Sequence, residues 1–79
     1  MARLDLENLE KITKERPKVH ERVKATYSIF SEDGTKYFQL DTYGRSERKV
    51  PEKISQIIQM DETDAREIIN ILRTVFNIE

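Results

Sequence analysis

The sequence predicts a single small α+β domain: a three-stranded antiparallel meander with a C-terminal helix on one face and a short N-terminal helix. Three observations carry that expectation. Residues 19–29 alternate apolar and polar with period two, as a half-buried strand does. An Asp33-Gly34 turn separates this run from a second alternating run, Thr35 to Tyr43. From Ala65 to Phe76, apolar residues recur at helical spacing without a break.

In chain order, "DLENLEKITKE" (5–15) is predicted to be a short helix. Asp5 can cap it, and Leu6, Leu9 and Ile12 recur every three residues. Pro17 ends it, because the residue before a proline is pushed out of the helical region. In "VHERVKATYSIF", Val19, Val23, Ala25, Tyr27 and Ile29 fall on one side, with Glu21 the exception, and His20, Arg22, Lys24, Thr26 and Ser28 on the other. "SEDG" supplies the turn, since Asp33 and Gly34 both tolerate positive φ. "TKYFQLDTY" returns, with Phe38 and Leu40 on one face and Tyr37, Gln39, Asp41 and Tyr43 on the other. Gly44 ends this strand and opens a loop containing Pro51. "ISQIIQM" (54–60) then forms a third strand, with Ile54, Ile58 and Met60 on one face and Ser55, Ile57 and Gln59 on the other.

Asp61 caps the final helix, roughly 62–77, and "DETD" resembles a capping box with Asp64 in place of the usual glutamate. Ala65, Ile68, Ile69, Leu72, Val75 and Phe76 make its stripe. Ile71 and Ile78 lie off the stripe and widen the apolar arc to about half the circumference at about 100° per residue. One sheet face does not need so wide an arc. Ile71 and Ile78 are therefore placed at a homodimer seam or under the N-terminal helix.

Composition agrees with one domain, residues 1–79, carrying a marginal core. With no cysteine, disulfides and thiolate zinc sites are excluded as staples, so oligomerisation is an expected source of stability. No apolar run approaches bilayer length and no signal peptide is visible, so a cytoplasmic location with no membrane partner is expected. The net charge is −1, but it is unevenly spread. Cations gather at Arg16, Lys18, Arg22 and Lys24, and again at Arg45, Arg48, Lys49 and Lys53, while residues 59–79 are acidic overall.

The uncovered face is expected to show His20, Arg22, Lys24, Tyr37, Gln39, Asp41 and Tyr43, among others. Cations, flat rings and adaptable polar groups are what a protein needs to hold single-stranded nucleic acid. Antiparallel sheets also solvate one face with polar residues as a matter of course, so a plain solvated face or one docking a protein partner is the alternative. No catalytic site is expected. His20 is the lone histidine and cannot build a standard zinc site without cysteine. Asp41 lies at the far end of the hairpin from Glu32 and Asp33, and a cross-strand pairing with Lys24 or Arg22 is its expected role. "DGT" and "YGR" are too sparse in glycine to cradle phosphate. No cofactor or metal is expected.

The stretch "ATYSIFSEDGTKYFQLDTYGRSERKVPEKISQIIQMDETDAREIINIL" resembles, in order of elements and turn spacing, the single-stranded-DNA-binding domain of the positive cofactor four family of transcriptional coactivators. The resemblance implies dimerisation through the C-terminal helix and a grip on single strands by sheets and loops of both subunits. By position, the implied contacts are Arg22 and Lys24 on strand one, Tyr37 and Tyr43 on strand two, and the loop residues Arg45, Arg48 and Lys49. The chain departs from the family in Glu47 and Glu52, which dilute the basic loop, and in Asp41, which would repel phosphate. "YFQLDTYG", "KISQIIQMDE" and the helix are also similar to a group of short bacterial proteins, some labelled methionyl-tRNA formyltransferase. A chain of 79 residues has no room for a folate site, so that label does not fit it.

Overall fold

A computed structural model describes residues 1–44 and 53–79. Four strands, β1 (Ala2–Arg3), β2 (Ala25–Glu32), β3 (Thr35–Tyr43) and β4 (Ile54–Met60), precede one helix, α1 (Glu62–Phe76). The sheet order is β1-β4-β3-β2. The expected antiparallel meander is β2-β3-β4, and β1 adds a fourth strand parallel to β4, so the sheet is mixed rather than three-stranded.

The β2–β3 hairpin follows from its turn. Asp33 (φ 51°) and Gly34 (φ 81°) both adopt positive φ, the backbone twist that a two-residue hairpin requires. Glu32 and Thr35 pair directly across it, and the register runs back to Ala25 opposite Thr42. β2 begins at Ala25, not at Val19. Alternation alone does not make a strand; a ladder partner is needed. β3 ends at Tyr43, whose N–H donates to Lys24 O at 3.0 Å, beyond which β2 has no partner on β3. His20 and Arg22 therefore precede the sheet.

The predicted N-terminal helix is absent among the described residues. An isolated helix of about eleven residues is marginal in water, and here tertiary hydrogen bonds take its backbone. Leu4 N–H donates to Gln59 O, prolonging the β1–β4 pairing, and Leu6 N–H donates to Asp64 Oδ1 at 2.9 Å. Asp5, the expected cap, accepts instead from the Asn8 side chain.

Alternation across the paired strands defines two sheet faces. Tyr27 and Ile29, Leu40 and Phe38, Ile58 and Met60 share the apolar face. Thr26, Ser28 and Phe30, Asp41, Gln39 and Tyr37, Ile57 and Gln59 share the polar face, where Arg3 joins beside Gln59. A register shift between Thr42 and Tyr43 brings Ile54 opposite Tyr43, out of line with Ile58 and Met60. Ile54 thus moves from its expected apolar face to the polar one, because β4 carries one extra residue there.

α1 is capped as its sequence predicts. Asp61 accepts from Asp64 N–H at 3.0 Å, and the Asp64 carboxylate reaches back to Asp61 N–H. Asn77 closes the C-terminus in the left-handed region, with Ile78 N–H bonded to Arg73 O. The helix does not lie across the face of its own sheet. Ala65 and Ile68 are half-buried, but Ile69, Leu72, Val75 and Phe76 remain 44%, 42%, 64% and 66% exposed. Leu6 is the only buried large apolar side chain among the described residues. The chain exposes 7485 Å², whereas a compact folded protein of 9.4 kDa exposes about 5,000 Å². Its radius of gyration is 15.0 Å against about 12 Å for a compact chain of this length. Among the described residues, no helix is long and apolar enough to cross a membrane.

Candidate nucleic-acid interface

The polar face is built around β3, whose alternation sends Tyr37, Gln39, Asp41 and Tyr43 to one side. Tyr37 lies directly opposite Phe30, and their rings stack at 5.4 Å between centroids and 26° between planes. The Arg3 guanidinium sits 5.0 Å from the Tyr37 centroid, a cation–π distance. Arg3 also pairs with Asp61, Nη2 to Oδ2 at 3.2 Å. The Asp64 backbone N–H is the main cause holding the Asp61 carboxyl below the ordinary aspartate value; bonding with the Asp64 side chain and with Arg3 adds to it, against an opposing desolvation.

A row of side-chain amides crosses the middle of the face. Gln59 Nε2 donates to Gln39 Oε1 at 2.8 Å, and Gln39 Nε2 donates to Asp41 Oδ1 at 2.9 Å. Asp41 is buried at 9% exposure. It faces Thr26 across β2 and takes its bond from Gln39, rather than making the expected cross-strand pair with Lys24 or Arg22. Its carboxylate is thus largely withdrawn from solvent and hydrogen-bonded by a side-chain amide.

At the other end of β3, the Tyr43 hydroxyl and Thr26 Oγ1 are hydrogen-bonded at 3.1 Å, and Lys24 Nζ lies 5.1 Å from the Tyr43 ring centroid. The face thus carries two ring-and-cation stations: Phe30, Tyr37 and Arg3 at one end, Tyr43 and Lys24 at the other. The two tyrosines are six positions apart on β3, about 20 Å at strand rise.

Of the sequence-predicted contacts, the structure sets Lys24 beside Tyr43 and puts Tyr37 on the same face at the other end of β3. Arg22 lies off the sheet, before β2, because the ladder stops at Lys24. Arg45, Arg48 and Lys49 lie outside the described residues. Ile71 on α1 and Ile78, just past its C-terminal cap, are both exposed. Ile71, with Asn70, Thr74 and Val75, lines a groove of about 650 Å³ whose other wall is Leu9, Glu10 and Lys11. Residues 9–11 form no helix, so the N-terminal helix expected to cover Ile71 and Ile78 is not there.

Phe30 and Arg3 were missed from sequence. Phe30 had a signal: it has the same parity as Thr26 and Ser28, so a continuing strand must send it to the polar face. Arg3 had none, since a two-residue strand is too short to show a period.

A scan against protein-family models finds no match, and neither the curated proteins nor the solved structures give a significant one.

Proposed function

We propose that the polar sheet face binds single-stranded nucleic acid without base preference, in a small homodimer. One observation carries the reading: two aromatic stations, each with its own cation, stand about 20 Å apart on one strand, with glutamine amides between them. Bases stack on flat rings whatever their identity, and cations beside the rings meet the phosphates. Arg45, Arg48 and Lys49 follow Tyr43 in sequence and add positive charge beyond that end of the strand. The reading is of a cytoplasmic binding protein that needs no catalysis, cofactor or metal. Fluorescence anisotropy with a labelled oligothymidine, repeated across salt, tests it; phosphate-dominated binding weakens steeply with salt through counterion release.

A second reading is a protein-interaction module with no nucleic-acid binding. The apolar face favours it, where Tyr27 and Ile29 stay 68% and 63% exposed. Such contacts would be far less sensitive to salt.

A further inference from the structure

We propose that the outer edge of β2 is a docking site for an extended peptide of another protein, which joins the sheet as an antiparallel strand beside β2. The site is a strand edge, so it stands whether or not the polar face binds nucleic acid.

Backbone direction defines the edge. β2 ends the sheet order, and among the described residues no strand lies on its other side. The bond from Tyr43 N–H to Lys24 O turns the Lys24 backbone towards β3. Hydrogen-bonded and non-hydrogen-bonded pairs alternate along an antiparallel ladder. Thr26, Ser28, Phe30 and Glu32 therefore also turn their backbone groups towards β3. The N–H and C=O groups of Ala25, Tyr27, Ile29 and Ser31 face outwards.

Nothing in the β2 sequence blunts this edge. Natural sheets protect a free edge with proline, charge, a bulge or a very short strand. Residues 25–31, "ATYSIFS", contain no proline, glycine or charge, and their pairing with β3 runs without a break. Tyr27 and Ile29 are exposed as well.

These features specify the occupant. Outward donors and acceptors at every second residue match another extended backbone. The residues with outward backbone groups send their side chains to the apolar face. Incoming residues directly opposite Tyr27 and Ile29 must therefore be apolar, and those between them, beside Thr26 and Ser28, polar. Charge sets the direction. Arg16, Lys18 and Arg22 precede the strand, and Glu32 and Asp33 close it. An antiparallel peptide thus fits with a basic start and an acidic end. An edge of 8 residues is well short of the roughly 20–30 that each partner brings to a standard protein–protein interface, so a short peptide suits it better than a second folded copy.

Hydrogen exchange followed by NMR on the wild-type chain is the test. The probe is a capped peptide that starts with lysine, alternates valine with threonine and ends in glutamate. In the free chain, the Ser28 and Phe30 amides should exchange slowly and the Tyr27 and Ile29 amides fast. Peptide at about ten times its dissociation constant should slow the latter two about tenfold. N-methylation of the valines removes the donors that meet β2 and should weaken binding at least about tenfold; N-methylation of the threonines, whose N–H groups point away, should not. Ile29→Pro removes an outward donor yet spares the β2–β3 ladder, so it should fold and bind the peptide at least about tenfold more weakly. The methylated peptides keep the test decisive even where proline disturbs the strand. Tyr27 and Ile29 amides already protected in the free chain would show the edge covered by a second copy or by the chain itself, and would overturn the proposal. So would a peptide that leaves both amides unchanged, or one that binds equally well whichever residues are methylated.

Discussion

Asp64 offers a sharp perturbation because one carboxylate serves two elements. Its Oδ1 accepts the buried Leu6 N–H at 2.9 Å, and its other oxygen faces Asp61 N–H at the helix start. It is itself only 5% exposed. Asp64→Ala removes the acceptor and leaves the Leu6 N–H buried without a partner, which costs about 1–3 kcal/mol. The weaker contact to Asp61, at 3.5 Å, adds little. For a domain of this length, a loss near about 2 kcal/mol lowers Tm by roughly 8–16 °C. Asp64→Asn keeps an oxygen in place and should recover much of that loss. Thermal melts at one protein concentration, with hydrogen exchange at the Leu6 amide, check this. The consequence reaches the polar face, because Leu4 and Leu6 tether the segment that carries Arg3 to its place over Tyr37. Alanine at 64 should therefore weaken oligonucleotide binding as well as stability. An alanine variant with wild-type melting and unchanged protection at Leu6 would refute the reasoning.

Gly34→Val should destabilise the fold by about 1–2 kcal/mol, from left-handed strain alone, since a Cβ at Gly34 meets nothing within 4 Å; a melt matching wild type would put the turn elsewhere. Replacing either Tyr37 or Tyr43 by alanine should cost about 1–3 kcal/mol of oligonucleotide binding with little dependence on base identity, read by anisotropy with thymidine and adenosine oligomers. Alanine at both Arg45 and Lys49 should weaken binding to all sequences alike and flatten the salt slope, and Arg3→Ala should reduce that slope by about one. The Asp61 carboxyl has a folded pKa below its unfolded value, so its contribution to stability is present above about pH 4 and is lost as pH falls through the lowered folded value. Asp61→Asn should remove that part of the acid limb in melts taken across acidic pH.

The hairpin and the helix were legible in the sequence because their signals are local. Asp33-Gly34 carries its own conformational preference, and the Asp61 to Asp64 box with the stripe behind it needs no distant partner. The N-terminal segment misled for the opposite reason. Leu6, Leu9 and Ile12 recur at helical spacing, yet Leu6 is buried and hydrogen-bonded to a helix 58 positions away in sequence. No periodicity encodes such a tie. The start of β2 was likewise hidden, since Val19 to Val23 alternate as a strand does but β3 ends before it can pair with them. In the candidate site, the tyrosines were visible through parity along β3. Arg3 arrives by tertiary pairing of β1 with β4, and the seating of Asp41 beneath Gln39 depends on side-chain bonds that alternation does not specify. The wide apolar arc of α1 was legible as well, and the structure leaves most of it exposed, together with Tyr27 and Ile29 on the sheet.

Binding of a fluorescein-labelled oligothymidine to the wild-type chain, followed by anisotropy from low to high salt, tests the central claim most directly. Saturable binding is expected at low salt, with the logarithm of the association constant falling linearly with the logarithm of salt concentration. Tyr37→Ala should bind more weakly at every salt concentration while keeping the same slope. An anisotropy that stays flat with wild-type protein at the lowest salt would contradict the account and leave the polar face without nucleic acid as its ligand.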